Sequence, residues 1–277
     1  MDDAIRTELP AADPPAAERY LLLADISGYT GFMAGVEQEH GVDFSAGIPA
    51  AYSVLGTLLD AVIVGLGPAF ALVKLEGDAV FAAASAPSLD GQGQRVLETI
   101  AATYRAFVDA RTRAIPANDH VCTACPAVAH LDLKVILHRG HTVRQSVGTS
   151  SDLLGPAVTV AHRLLKNTIR DEIGYRPYLF LTEPAAYALG LPDVGTAHGE
   201  TYVDAGTIEG RVLELGEPTP RATAPSTKLC DGCKQPLDPA EQVCAGFEFI
   251  TRPSSSGKGT YRQTSPEARS TGSSASR

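Results

Sequence analysis

The chain has no run of about 20 apolar residues, the length a membrane-spanning helix needs. Its longest approach, Leu55 to Leu66, is too short and contains Asp60. No stretch is dense in Lys or Arg, and the formal charge is −9, which argues against a general nucleic-acid binder. The first residues, Met-Asp-Asp-Ala, are acidic, and the Pro/Ala-rich segment after them has no apolar signal core. No secretory leader is expected. Cysteine is sparse and odd in number, five in 277 residues, so a disulfide framework is not indicated. A reducing cytoplasm is the expected compartment. Histidines do not cluster, and Ser146, Ser150 and Ser151 lack a His/Asp partner pattern, which argues against a serine hydrolase. There is no internal repeat.

What is present is a chain with 44% hydrophobic residues, enough for one sizeable core and appendages. Residues 1–17, rich in Pro, Ala and acid, are expected to be a disordered lead-in, and 18–216 to form one folded domain. A Pro/Thr/Ser linker at 217–227, a small Cys-bearing, zinc-ribbon-like segment at 228–250 and a Ser/Gly-rich disordered tail at 251–277 follow. Within the domain, strands are expected at Tyr20–Ile26, in a hairpin from Phe70 to Ala84, at Leu131–Leu137, Thr142–Val147 and Tyr178–Leu181, and in a last hairpin of Thr201–Val203 with Arg211–Leu215. Helices are expected to begin near Phe32, and to span Pro49–Leu66, Val96–Ala110 and Pro156–Lys166, with another opening at Thr182 as N-cap. Ser85–Gln94 reads as a loop, residues 114–129 as irregular, and His138-Arg139-Gly140-His141 as a turn. Hairpins among alternating helices and strands mean α+β, ferredoxin-like organisation with a mainly antiparallel sheet.

The chemistry concentrates in Lys74-Leu75-Glu76-Gly77-Asp78, the tip of the expected hairpin. Asp is a poor strand residue, and Gly77 supplies the freedom a tight turn needs. By itself Asp78 could be a solvated turn aspartate. A second carboxylate, Asp25, ends the apolar run Tyr20–Ala24. If the two strands are neighbours, Asp25 and Asp78 converge, and a carboxylate pair of this kind suits paired divalent cations of the magnesium type. Two Cys-x-x-Cys pairs, Cys122/Cys125 and Cys230/Cys233, are each half of a structural zinc site. Together they would make one four-cysteine site for a single Zn2+, with Cys244 as an alternative ligand or spare thiol. Unmetallated thiols remain the other reading.

These residues, in this order, resemble the catalytic domain of the class III adenylate and guanylate cyclases over roughly Tyr20 to Leu215. The resemblance is carried by Leu23-Ala24-Asp25-Ile26-Ser27-Gly28-Tyr29-Thr30, by Lys74-Leu75-Glu76-Gly77-Asp78, by His138-Arg139-Gly140 and by Asp152 to Leu164. The Cys-x-x-Cys before the central strand is similar to that of a bacterial cyclase-like subgroup. The resemblance implies two Mg2+ or Mn2+ ions on Asp25, Asp78 and the Ile26 carbonyl. It implies ATP as substrate, with Lys74 and Asp152 reading the adenine, and Arg163 neutralising transition-state charge. Thr159 stands where the family has a ribose-orienting asparagine. It also implies a homodimer in which each site takes the metal aspartates from one chain and the base pair and arginine from the other. The activity implied is conversion of ATP to cyclic AMP and pyrophosphate. The alternative is a catalytically weak or inactive nucleotide-binding scaffold, favoured by Thr159 and by a last hairpin, Thr207-Ile208-Glu209-Gly210-Arg211, without the family's lysine.

Overall fold

The structure, a computed structural model, describes residues 14–41, 45, 50–114, 125–148, 150–174 and 176–216, and the strands Phe247–Ile250 and Thr260–Gln263. The chain divides into two compact units, Met1–Ala222 and Thr223–Arg277.

The first unit follows its hydrophobic patterning. β1 (Ala16–Ser27) is apolar on both faces from Tyr20 to Ala24, as a central strand must be. Helices α1 (Tyr29–His40) and α2 (Ala50–Leu66) lead to the hairpin of β2 (Ala71–Glu76) and β3 (Ala79–Ser85). The short α3 (Ala86–Leu89) and the long α4 (Gly93–Ala114) follow, then β4 (Asp132–Val147), β5 (Ser150–Leu154) and α5 (Pro156–Arg163). The unit closes with α6 (Ile169–Ile173), β6 (Tyr178–Thr182), α7 (Glu183–Leu189) and the hairpin β7 (Thr196–Tyr202)–β8 (Gly206–Glu214).

The sheet order is β2-β3-β1-β4-β6-β8-β7, with β5 pairing the far end of β4. Its first four strands have the βαββαβ order of a ferredoxin-like core. Pairing is antiparallel among the described strands except for β4 with β6. This is the α+β architecture with a mainly antiparallel sheet expected from the sequence.

Alternation along the strands sends side chains to two cores. Tyr20, Leu22, Ala24 and Ile26 of β1 face Leu58 and Val62 of α2 and Val96, Ile100 and Phe107 of α4. Leu21 and Leu23 face the other way, into a cluster with Phe81, Ile136 and Phe180 that is roofed by Ala157, Ala161 and Leu164. Phe81 is fully buried there, and truncation to alanine should cost about 3–5 kcal/mol. The second cluster carries the site.

Several local expectations differ from what is observed. His138-Arg139-Gly140-His141 is not a turn, because β4 runs through it unbroken, paired with β1 from Val143↔Ala16 to Asp132↔Ser27. Gly140 serves packing instead: a Cβ there would lie 2.8 Å from the Ala157 Cβ of α5. Ser85–Gln94 holds α3 rather than a continuous loop. Helix α5 ends at Arg163 and tightens into a 3-10 turn at Leu164–Lys166. The last hairpin turns at residues 203–205, so Val203 lies in the turn rather than in a strand. Thr182 does precede α7 as N-cap, but its hydroxyl makes no capping bond and lies 3.0 Å from His138 Nδ1.

In the second unit, β9 (Phe247–Ile250) and β10 (Thr260–Gln263) form an antiparallel pair.

Candidate active site

The β2–β3 hairpin closes through the two-residue turn Gly77-Asp78, with Glu76 opposite Ala79. Gly77 adopts φ +67°, which a side chain would resist, and so permits the tight turn. The turn is drawn onto the end of β1, where the Ile26 amide donates to the Asp78 carbonyl at 3.2 Å. Asp25 is opposite Ala79 on one side and Lys134 on the other. Asp25 and Asp78 are thereby neighbours. The Asp78 carboxyl is pushed above its ordinary range, first by burial and then by the negative charge of Asp25, with its own backbone hydrogen bond and Lys134 opposing.

Lys134 was not singled out from the sequence. Its ammonium is 3.1 Å from Asp25 Oδ2 and donates to the Leu165 carbonyl at 2.9 Å. Alternation on β4 places it on the same face as Ile136 and toward the Asp25 strand, a signal the sequence did carry.

Lys74, two residues before Glu76, is opposite Phe81. Its ammonium lies 2.7 Å from Asp152 Oδ2, 3.3 Å from Glu76 Oε1 and 5.9 Å from the Phe81 ring centroid. The hydrogen bond to Asp152 leads the causes that raise the Lys74 pKa. Asp152 sits on β5 beside Leu153, which is buried in the second core. The structure therefore brings together Lys74 and Asp152, 78 residues apart in sequence.

Arg163 and Thr159 lie one turn apart on α5, and Thr159 is exposed. Arg163 makes a two-pronged ion pair with Asp204 in the β7–β8 turn, and its carbonyl accepts from Tyr202 Oη at 3.1 Å. Burial, with Glu200 and Tyr178 nearby, pushes the Tyr202 hydroxyl up to about 12 despite Arg163, so it stays a donor at neutral pH. Arg211 pairs with Leu181 and Ala197 and lines a separate cavity of about 150 Å3 with Glu183, Tyr187 and Glu209.

Of the cysteines expected to bind zinc, Cys122, Cys230 and Cys233 lie outside the described residues, as does Cys244. Cys125, expected in an irregular loop, instead starts the 3-10 helix Cys125–His130, with Sγ 3.4 Å from His40 Nε2.

Asp25 and Asp78 suit a hard divalent cation: both donors are carboxylate oxygens, and Asp78 is disfavoured as an anion until a cation compensates it. No group of three or more His, Cys, Asp or Glu is arranged for a metal among the described residues. Two protein carboxylates would leave most of the coordination shell to substrate phosphates and water, a common arrangement for magnesium.

A family model described as a protein of unknown function (DUF2652) matches residues 55–173. An uncharacterised protein of Mycobacterium tuberculosis is 34% identical over 74 residues, 26% of this chain and 33% of that protein. Among solved structures, a bacterial light-regulated adenylyl cyclase superposes with a TM-score of 0.51 at 16% identity, covering 74% of this chain and 53% of that one. The guanylyl cyclase Cya2 superposes with a TM-score of 0.52 at 15% identity, covering 73% of this chain and 95% of that one. The chain thus spans about half of the light-regulated cyclase and a third of the mycobacterial protein. At these identities the likeness is one of fold, and the fold is that of adenylyl and guanylyl cyclase domains.

Proposed function

We propose that the protein is an adenylate cyclase, converting ATP to cyclic AMP and pyrophosphate at a site shared by two copies of the chain. The observation that carries this is the Lys74–Asp152 pair, held on the sheet face that also bears Asp25 in a cyclase fold. An ammonium and a carboxylate side by side offer a donor and an acceptor, the complement of adenine N1 and its 6-amino group. Guanine presents an N–H and a carbonyl at those positions and is refused.

Asp25, Asp78 and the Ile26 carbonyl would hold Mg2+ or Mn2+, which supplies charge for the triphosphate and makes the ribose 3′-hydroxyl more acidic. In the reaction the 3′-oxygen bonds to the α-phosphorus, the bond from that phosphorus to the bridging oxygen breaks, and pyrophosphate leaves with the electron pair. The hydroxyl proton passes to solvent. Arg163 meets the charge that gathers on the phosphoryl oxygens, which a planar guanidinium does well. To do so it must leave Asp204. Lys134 places one more positive charge beside the carboxylates. Thr159 offers the ribose a single hydroxyl.

The rival reading, a nucleotide-binding scaffold of weak or no activity, is favoured by Thr159 and by the engagement of Arg163 with Asp204. Purified protein incubated with ATP or GTP and Mn2+ or Mg2+ separates the two. Cyclic AMP from ATP, absent with Asp78→Ala, supports the cyclase. Bound ATP released unchanged supports the scaffold.

A further inference from the structure

We infer that Glu76, clamped by His162, is a positioning residue that aims the Lys74 ammonium at the base. The inference rests on the nucleotide reading above. His162 Nδ1 lies 2.7 Å from the Val158 carbonyl, which can only accept, so that nitrogen carries a proton. His162 Nε2 lies 2.7 Å from Glu76 Oε2. Glu76 is thereby fixed to α5 through one oxygen, while its other oxygen faces Lys74 at 3.3 Å.

The consequence is directional. An ammonium has three N–H donors in a tetrahedral arrangement. Anchored only on Asp152, it would rotate freely about that one bond and its remaining donors would sweep a cone. Anchored on Asp152 and Glu76 together, it has one N–H left, and the direction of that donor is set. Phe81 supports the arrangement from below: its ring lies 5.9 Å from Lys74 Nζ and meets the His162 ring edge-on at 5.2 Å. A cation over an aromatic face is attracted to it. His162 also precedes Arg163, so the same bridge ties the base-reading hairpin to the helical turn that carries the arginine. Neither Glu76 nor His162 touches substrate in this scheme. Both act through Lys74.

Equilibrium titration of the full chain with fluorescent N-methylanthraniloyl derivatives of ATP and GTP, in Mn2+, reads the effect. Wild type should bind the ATP derivative more tightly. Glu76→Gln and His162→Asn should each reduce the ATP-over-GTP affinity ratio by about three- to tenfold, the scale of one misaligned hydrogen bond. The Asn side chain can still donate to the Val158 carbonyl but is too short to reach Glu76. Because the two residues act in series, the double variant should be no worse than either single one. A helix-to-sheet tether without a positioning role would lower the melting temperature and leave the ratio untouched, and that result overturns the inference. Multiplying effects in the double variant overturn it too. If His162→Asn does not fold, Glu76→Gln alone decides. Wild-type protein that binds neither derivative overturns the function reading and this inference with it, and is distinguishable because no variant is involved.

Discussion

Lys74 holds Asp152 with an ammonium–carboxylate distance of 2.7 Å, joining the β2–β3 hairpin to a strand 78 residues further on. Each side chain is about a third exposed, so the pair itself adds little to stability. In the proposed function the pair serves recognition of the base. Lys74→Ala should therefore weaken ATP binding about tenfold or more while moving the melting temperature by only a degree or two, measured by nucleotide titration beside thermal unfolding.

The Asp25–Asp78 pair should behave in the opposite sense. The raised Asp78 pKa means its charged form is penalised in the folded state: the penalty sets in as pH rises past the ordinary 3.8 and is complete above the raised folded value. Asp78→Asn should then raise the melting temperature of metal-free protein at neutral pH by about 1–3 °C. Saturating Mn2+ should raise that of wild type by about 5 °C or more and leave the variant unmoved. A wild type indifferent to the ion would mean that the carboxylates do not bind it.

Arg163 is engaged by Asp204, which belongs to the turn of the last hairpin. Freeing the guanidinium should help a reaction that needs it elsewhere. Asp204→Asn is expected to raise cyclic AMP output about two- to fivefold, at most about 1 kcal/mol of barrier, with Arg163→Ala abolishing the gain. Initial rates of the three proteins, compared at saturating ATP, check this.

His138 lies buried in the sheet against Thr182, and burial pushes its imidazole down from 6.5 to about 4. Between those values the unfolded chain takes up the proton and the folded chain does not. Stability is therefore full above pH 6.5 and falls as pH drops toward 4. Urea unfolding at pH 7 and pH 4.5 should show wild type losing about 2–3 kcal/mol more than His138→Gln.

Much of this fold is legible before any coordinates. The apolar run in β1, the Gly77 turn and the helical span of α2 follow from spacing and composition, whereas the pairing of β1 with β3 that makes Asp25 and Asp78 neighbours is shown by the structure. Legibility fails where a tertiary partner overrides a local signal. Arg139-Gly140-His141 carries turn composition, yet pairing with Glu18 to Tyr20 of β1 holds it extended, and its glycine answers to Ala157. Thr182 has the composition of a cap, but its hydroxyl faces a buried histidine. The missed site residues share a cause. Strand alternation sets the face of Lys134, and Glu76 stands within the hairpin motif, but only the assembled sheet shows which charged group each of Lys134, Glu76 and Asp204 meets.

Cyclic AMP release from an equal mixture of Asp78→Ala and Arg163→Ala chains, after exchange of subunits, tests the account most directly. A shared site takes its metal aspartates from one chain and its arginine from the other. A mixed dimer then has one site with both parts intact, and random pairing leaves about a quarter of all sites working. The account predicts activity near that fraction of wild type from two inactive proteins. A mixture as inactive as its components, with mixed dimers shown to be present, would contradict it.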